Sequence, residues 1–414
     1  MKDQILSNMD NPSQLEKLYR EDKLTFKQAF NALYPELPDN KLAGFWHERL
    51  NYENAGISWG TSKELIFVVI ASLLAGIVAK LPAFLTINEE FFYPRNIGFI
   101  VFPLLTAYFA WKNKLSVKKI AFIGGITLVA MVFINALPNA NKSDTLVLSC
   151  IHLLLILWSI LGVAFIGNNP TGPEKRLSFL RYNGDLVVMT TLILIAGAIM
   201  TGITIGLFSL IGFKIEEFYS EYIAVFGLAA SPIVGTYLTQ NNPQLVNKVS
   251  PVIAQIFSPL VLIMLVVYLV TIIYSGKDPY NDREFLLVFN ALLIGVMAII
   301  LFSVAETSRT TKSQSGSFIL FLLSAVTIIV NSIALSAILF RISEWGITPN
   351  RLAVLGGNIL ILTNLLLVTI KLFRVVTKKA DPGEVGKSIA TFLPVYILWA
   401  IIITFLLPLV FGFE

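Results

Sequence analysis

Residues 65–85 have the sequence LIFVVIASLLAGIVAKLPAFL, a run of 21 residues whose one charged side chain is Lys80. About 20 apolar residues is the length that crosses a ~30 Å hydrocarbon core as an α-helix. Ten further apolar stretches follow, and no segment shows the ~10-residue alternation of a membrane β-barrel. Because every backbone polar group in lipid must be satisfied within the chain, we predict an all-α, polytopic transmembrane helical bundle.

The composition agrees with this prediction. Hydrophobic residues make up 56% of the 414 residues and charged residues 14%, against about 45–50% and 25% in soluble domains. The predicted spans cover residues 65–85, 97–111, 120–137, 145–166, 186–211, 222–238, 252–274, 285–304, 318–340, 352–370 and 389–411. The second is short and contains Pro103. Without it the count falls to ten and the C-terminus changes side.

Residues 1–62 form a separate predicted domain, soluble and helical, before a transmembrane domain of residues 63–414. This segment carries seven Lys/Arg and nine Asp/Glu and no cleavable signal peptide, so the first span is expected to act as a signal anchor. Asn11 and Pro12 predict a helix start, a second helix ends near Pro35, and a third follows Asp39. Such short amphipathic helices are stable only when packed on one another, on the membrane or on a partner.

The charges of the connecting loops predict the orientation. Alternate connections hold fifteen Lys/Arg in one set and seven in the other, and most of the loop acids lie in the second set. The positive-inside rule therefore places the first set and the N-terminal segment in the cytoplasm, with the C-terminus external for eleven spans. The net charge of +5 reflects these loop lysines, so we expect a lipid bilayer as partner and no nucleic acid.

No cofactor, metal or catalytic motif is present, and one cysteine with two histidines is too few for a metal site of those ligands. Polar, small and proline residues within spans are the best pointers to a functional interior, although interhelical hydrogen bonding and close packing are the favoured explanation for any single one of them. Lys80, Asp185 and Glu306 lie near span ends, and we expect no Asp, Glu or Arg at mid-span. Our candidate intramembrane polar or hinge positions are His152, Thr201, Gly227, Ser231, Pro232, Gly235, Gln255, Asn290, Asn331 and Asn358.

The connection from Arg341 to Arg351 is the most distinctive loop. Thr348 followed by Pro349 predicts the start of the tenth span, and Glu344 is placed to pair with either arginine. The candidate positions in this external loop are Arg341, Glu344, Asn350 and Arg351. A second external feature is the acidic pair Glu89 and Glu90, which some membrane glycosyltransferases carry in their first external loop.

Residues 95–103 (RNIGFIVFP), 280–284 and 341–351, each beside a span, resemble a bacterial multi-pass membrane family labelled domain of unknown function 4153. The resemblance covers about residues 64–412 and implies a protein of the bacterial cytoplasmic (inner) membrane. It supplies no activity and no catalytic residues.

Two function classes remain, and a third is weaker. The first is a transporter-like or channel-like protein for a small solute or lipid component, which predicts a cavity reaching Gly227, Pro232, Gln255 or Asn331. The second is a non-catalytic accessory or sensory subunit that binds a protein partner or a second copy through its N-terminal helices, for example Phe45 and Trp46. The third is a transferase using a polyprenyl-linked donor, with Glu89 and Glu90.

Overall fold

The computed structural model describes residues 1–37, 40–51, 59–139, 143–168, 172–210, 214–246, 258–267, 269–270, 280, 283–307 and 314–413. The chain divides into two units, Met1–Ser58 and Trp59–Glu414. This boundary lies four residues before the one drawn from the sequence. The backbone carbonyl of Trp59 accepts a hydrogen bond from the hydroxyl of Tyr237 in the second unit, which ties the chain from residue 59 onward to that unit.

The N-terminal unit contains four helices. They are α1 (Lys2–Ser7), α2 (Pro12–Glu21), α3 (Lys23–Leu33) and α4 (Lys41–Asn51). Asn11 caps α2 by accepting a hydrogen bond from the backbone N–H of Gln14 at 3.2 Å, as predicted. Asn40 caps α4 through the N–H groups of Leu42 and Ala43. Helix α1 was not predicted.

The helices of the N-terminal unit pack on one another around an aromatic core. Phe26, Phe30 and Trp46 lie at its centre, and the Phe26 and Trp46 ring centroids are 5.2 Å apart. Trp46 is only 2% exposed, whereas Phe45 is 61% exposed. The expectation that Trp46 is available to a partner is therefore wrong: neighbouring helical residues point about 100° apart, and here Trp46 points inward while Phe45 points out.

An ion-pair cluster closes the surface of this unit. Glu16 pairs with Arg20 at 2.8 Å within α2 and with Arg49 of α4 at 2.9 Å. The two guanidinium groups, Arg20 foremost, hold the pKa of the Glu16 carboxyl below its usual value. The pair with Arg49 joins α4 to α2.

The second unit is built from long helices. They are α5 (Ser62–Leu85), α6 (Glu89–Lys112), α7 (Val117–Ala136), α8 (Asp144–Ile166), α9 (Pro173–Leu210), α10 (Glu216–Asn241), α11 (Ser258–Val267), α12 (Arg283–Thr307), α13 (Gln314–Trp345), α14 (Pro349–Val376) and α15 (Gly383–Val410). Each overlaps one of the eleven predicted stretches, although α11 has only ten residues and most of the rest of its stretch lies outside the described residues. Helix α10 contains a π-helical segment, Tyr219–Ala224, and α15 contains another, Ile402–Leu406.

Within the described residues, eight of these helices are long and apolar enough to cross a membrane. Helix α6 has 24 residues, about 36 Å at 1.5 Å per residue, although polar residues lower its hydropathy. Apolar side chains such as Ile66, Val69 and Leu73 of α5 point out of the bundle, as expected of helices surrounded by lipid. The fold is an all-α polytopic helical bundle, as predicted.

One end of the bundle is rich in lysine and arginine side chains. At the lysine-rich end, which we define by Lys112, Lys119, Arg181 and Lys371, side chains bind helix termini: Lys119 Nζ donates to the carbonyl of Gly167 at 3.0 Å, and Arg181 Nε to that of Ala305 at 2.7 Å. Arg181 lies on a helix and not in a loop, because α9 begins at Pro173 and not near residue 186 as the apolar stretch predicted.

Candidate functional site

A buried arginine lies in the second turn of α6. Asn88 caps this helix by accepting a hydrogen bond from the N–H of Phe91 at 3.1 Å, and so the helix begins at Glu89, eight residues before the predicted span. Arg95, which we expected in the external loop, is therefore helical and only 2% exposed. The early helix start turns a loop charge into a charge within the bundle.

The guanidinium group of Arg95 has few partners. It donates to the Phe91 carbonyl at 3.2 Å and to Asn139 Oδ1 at 3.4 Å, and it lies 4.1 Å from the centroid of the Phe91 ring. Its Nε is buried and has no hydrogen-bond partner. In the part of the chain that the structure describes, Arg95 forms no ion pair.

The next residue, Asn96, forms a reciprocal amide pair. Asn96 Nδ2 donates to Asn135 Oδ1, and Asn135 Nδ2 donates to Asn96 Oδ1, both at 2.9 Å. Each amide also donates to the carbonyl one turn before it, Phe92 and Met131 respectively. The pair joins α6 to α7 beside Arg95, and we call Arg95, Asn96, Asn135 and Asn139 the arginine cluster.

The arginine cluster combines an uncompensated charge with unused donors. A buried charge without a counter-ion is costly, and intramembrane ionisable groups usually mark ligand or ion pathways. A guanidinium group offers five N–H donors in a fork that matches carboxylate and phosphate. This arrangement favours an anionic group as its ligand.

Three predicted asparagines form a second cluster between α12, α13 and α14. Asn358 Nδ2 donates to Asn290 Oδ1 at 2.9 Å, and Asn331 Nδ2 donates to the Asn358 carbonyl at 3.2 Å. Asn331 is fully buried, and its Oδ1 has no partner. The structure thus brings together candidates that lie 68 residues apart in sequence. Their contacts are interhelical hydrogen bonds, so helix packing explains why these three asparagines are buried.

The other intramembrane candidates have local roles. His152 Nδ1 lies 2.8 Å from the carbonyl of Leu148 in its own helix, and Thr201 is half-buried on α9. Gly235 packs tightly on Thr190 and Leu186 of α9, whereas Gly227 faces open space. Gln255 lies outside the described residues.

Pro232 shows how the bundle satisfies a broken helix. Proline has no N–H, so the carbonyl of Leu228 four residues earlier loses its helical donor. The hydroxyl of Ser231, which is buried, donates to this carbonyl at 2.8 Å. Ser231 and Pro232 form a self-contained helix break in α10.

The external-loop candidates build a turn. Thr348 Oγ1 accepts from the N–H of Arg351 at 3.3 Å and Pro349 begins α14, as predicted. The Arg351 guanidinium donates to the carbonyls of Trp345 and Gly346 at 2.8 and 2.7 Å. Arg341 Nε donates to the carbonyl of Tyr280 at 2.9 Å.

Glu344 is exposed and, among the described residues, pairs with neither arginine, so the expected ion pair is wrong. The backbone carbonyls of the turn hold the Arg351 side chain instead. Asn350 is half-buried in the first turn of α14. Glu89 and Glu90 are likewise exposed in the first turn of α6, where acidic groups stabilise the helix dipole.

The lysine-rich end holds a cluster that the sequence did not suggest. Glu64, only 6% exposed, accepts hydrogen bonds from the Tyr108 hydroxyl at 2.5 Å and from Lys112 Nζ at 3.1 Å. Together they join α5 to α6 beside a cleft of about 460 Å³. Glu64 and Lys112 each lie one residue outside a predicted span, so the prediction placed neither of them within the bundle.

Comparison of the chain with protein-family models, with curated proteins and with solved structures gives no match. Functional inference therefore depends on the residues of the chain itself. Of the clusters above, the arginine cluster holds a buried charge without an ionic partner in the described residues.

Proposed function

We propose that this chain is a transporter-like membrane protein that moves a small solute or lipid component carrying an anionic group. The observation that carries the proposal is the burial of Arg95 in the bundle with no ionic partner among the described residues and an unpartnered Nε. If Arg95 only held the bundle together, an apolar side chain of similar volume would do so without the free-energy cost of removing a charge from water. An anionic substrate would offset that cost while it is bound.

The chemistry of Arg95 narrows the substrate class. Its planar fork suits carboxylate, sulfate or phosphate groups. The neighbouring amides of Asn96 and Asn135 are already paired with each other, so they position the site and leave charge recognition to Arg95. The predicted cavity at Gly227, Pro232 or Asn331 is not part of this proposal, since Gly227 faces open space, Pro232 lies in a locally satisfied helix break and Asn331 forms an interhelical hydrogen bond.

Cys150 provides a test that requires no knowledge of the substrate. It is the one cysteine of the chain, and it is buried on α8, the helix that packs against the Arg95-bearing helix α6. A substrate path through the arginine cluster admits water and small ions intermittently. We expect a negatively charged methanethiosulfonate to modify Cys150 in membranes faster than a positively charged one of similar size, because Arg95 attracts the anion.

The variants are chosen to separate charge from fold. Arg95→Gln should abolish the preference for the anionic reagent, Arg95→Lys should retain it, and Arg374→Gln, an exposed charge on α14, should leave it unchanged. Cys150→Ser controls for background labelling. Complete protection of Cys150 from both reagents in the native membrane would contradict the proposed path.

We further propose the bacterial inner membrane as location, with the lysine-rich end in the cytoplasm. The charge difference between the two sets of connections supports this orientation, and the resemblance to domain of unknown function 4153 supports the bacterial location. In a Cys150→Ser background, an impermeant maleimide should label Ser343→Cys, which is exposed in the last turn of α13, in intact cells. Lys379→Cys, exposed at the other end of α14, should react only after the cells are opened.

A second candidate function is that of an accessory subunit. It is supported by the separate core of the N-terminal unit and by the exposed ring of Phe45. Native mass spectrometry of the gently extracted protein should then show a second chain in fixed stoichiometry. Phe45→Ser should release it, while Phe122→Ser, an exposed residue of α7, should not.

A further inference from the structure

A groove at the lysine-rich end combines hydrocarbon walls with two cations. It has a volume of about 220 Å³ and lies between α7, α8, α9 and α15. Its walls include Trp158, Val163, Ile166, Phe179, Leu393 and Ile397, and its rim carries Lys119 and Arg176. Within the described part of the chain, no Asp or Glu contributes to the lining.

The two cations are held at fixed positions. Lys119 Nζ donates to the carbonyls of Gly167 and Asn168, at 3.0 and 2.7 Å, where α8 ends. Arg176 donates to the carbonyl of Ala390 on α15 at 3.3 Å. These carbonyls are neutral, and a helix C-terminus carries only about half a negative charge. The rim therefore keeps a net positive charge.

The acidic residue of α9 that is closest in sequence to Arg176 has its own cationic partner. Glu174, two residues before Arg176, pairs with Lys387 at 3.4 Å. The cations at the rim thus remain available to an external anion.

The groove changes from polar to apolar along the helix axes. Lys119 and Arg176 lie in the first turns of α7 and α9. Trp158 lies eight residues before Ile166 on α8, about 12 Å deeper in the bundle at 1.5 Å per residue. A phospholipid has the same sequence of chemistry over the same distance, with a charged phosphate at the interface and an acyl chain below it.

We propose that this groove binds one anionic phospholipid, with its phosphate at Lys119 and Arg176 and part of an acyl chain against Trp158 and Val163. Basic pockets between transmembrane helices are suited to anionic headgroups. Inorganic phosphate would use the cations and leave the apolar walls without a ligand, and a neutral lipid would use the walls and leave the charge uncompensated. The proposal is independent of Arg95 and of any transport activity.

The test is native mass spectrometry of the full chain in nanodiscs of equal phosphatidylglycerol and phosphatidylcholine, followed by detergent release. We expect one phosphatidylglycerol to be retained in preference to phosphatidylcholine. Each surface cation contributes about fivefold in affinity for an anionic lipid, so Lys119→Gln and Arg176→Gln should each lower retention by about this factor. Glutamine can still donate to the carbonyls that the cations bind, which protects the fold.

Two further variants separate this site from nonspecific charge. Lys118→Gln removes an exposed lysine next in sequence that does not line the groove, and it should retain the lipid. Val163→Trp fills the groove and leaves both cations, and it should lose the lipid even if Arg176→Gln fails to fold. Equal retention of the two lipids, an unchanged result with Val163→Trp, or displacement of the lipid by inorganic phosphate would each overturn the proposal.

Discussion

Arg176 on α9 donates a hydrogen bond to the carbonyl of Ala390 on α15, with a guanidinium-to-oxygen distance of 3.3 Å. Ala390 lies four residues before Pro394. Because proline has no N–H, the carbonyl of Ala390 lacks its usual donor within the helix. The hydroxyl of Ser149 on α8 likewise donates to the carbonyl of Thr404, four residues before Pro408, at 2.9 Å. Helix breaks in α15 are therefore completed by side chains from neighbouring helices.

This relationship predicts a coupling between Arg176 and Pro394. Arg176→Leu should lower the free energy of unfolding by about 1–2 kcal/mol, because a buried carbonyl loses a charged donor. In a Pro394→Ala background the helix supplies its own N–H, and the same substitution should cost less. A double-mutant cycle by SDS titration in mixed micelles measures the difference. Equal costs in both backgrounds would show that the hydrogen bond does not serve the proline break.

Gly227 and Gly235, two candidate positions eight residues apart on α10, should respond differently to alanine. A Cβ at Gly235 would lie 2.9 Å from Thr190 Oγ1 and 3.2 Å from a Leu186 methyl, whereas Gly227 has open space. Gly235→Ala should cost about 1–3 kcal/mol through overpacking, and Gly227→Ala should be neutral or stabilise by up to about 1 kcal/mol through helix propensity.

Thermal midpoints in detergent measure this contrast. The variant Gly235→Ala with Thr190→Ala should recover part of the loss, since it removes the nearest clashing atom. If Gly227→Ala destabilises as much as Gly235→Ala, the contact of Gly235 with α9 does not explain the loss of stability.

The Asn96 and Asn135 pair should behave as a unit. Asn96→Leu leaves the amide of Asn135 without its interhelical partner, and we expect a loss of about 1 kcal/mol, within the range for hydrogen bonds between membrane helices. Replacing both residues with leucine should cost less than the sum of the single substitutions. Additive losses by SDS titration would mean that each amide acts alone.

The sequence predicted an all-α bundle of apolar helices, because about 20 apolar residues in a row have few other structures available in lipid. It placed Arg95 and Glu64 wrongly for one shared reason: a span was drawn from hydropathy, whereas a helix begins at its cap. Asn88 and Thr61 both accept hydrogen bonds from the first turn of their helices, and these caps bring the two charged residues inside. A capping residue followed by proline, as at Asn11 and Thr348, marks a helix start in the sequence. Asn88 and Thr61 are not followed by proline, and their capping role is seen only in the structure.

The asparagine cluster shows a different limit. Asn290, Asn331 and Asn358 were each identified as buried polar residues, and all three were placed together by the structure. Their joining depends on which helices are neighbours and on the rotation of each helix about its axis. For helices that are apolar on nearly every face, hydropathy periodicity carries little of that rotation.

Acidification should destabilise the N-terminal unit through Glu16. Arg20 and then Arg49 lower the pKa of this carboxyl in the folded unit, so the ion pairs contribute stability above its usual pKa near 4.5. That contribution is lost as the pH falls through the lowered pKa, when the carboxylate takes up a proton. For a chain of residues 1–58, the thermal midpoint should therefore fall as the pH is lowered from about 6 to about 3, a range in which acidic side chains take up protons.

Trp46 is the one tryptophan in this segment, and because it is buried its emission reports unfolding. Glu16→Gln should lower the midpoint at about pH 6, and its difference from the native sequence should narrow as the pH falls, because protonation of Glu16 removes the same charge from the native chain. A midpoint for Glu16→Gln that falls with acid as steeply as that of the native sequence would assign the acid sensitivity to other carboxylates. In that case the Glu16 ion pairs are surface contacts of negligible energy, as many exposed pairs are.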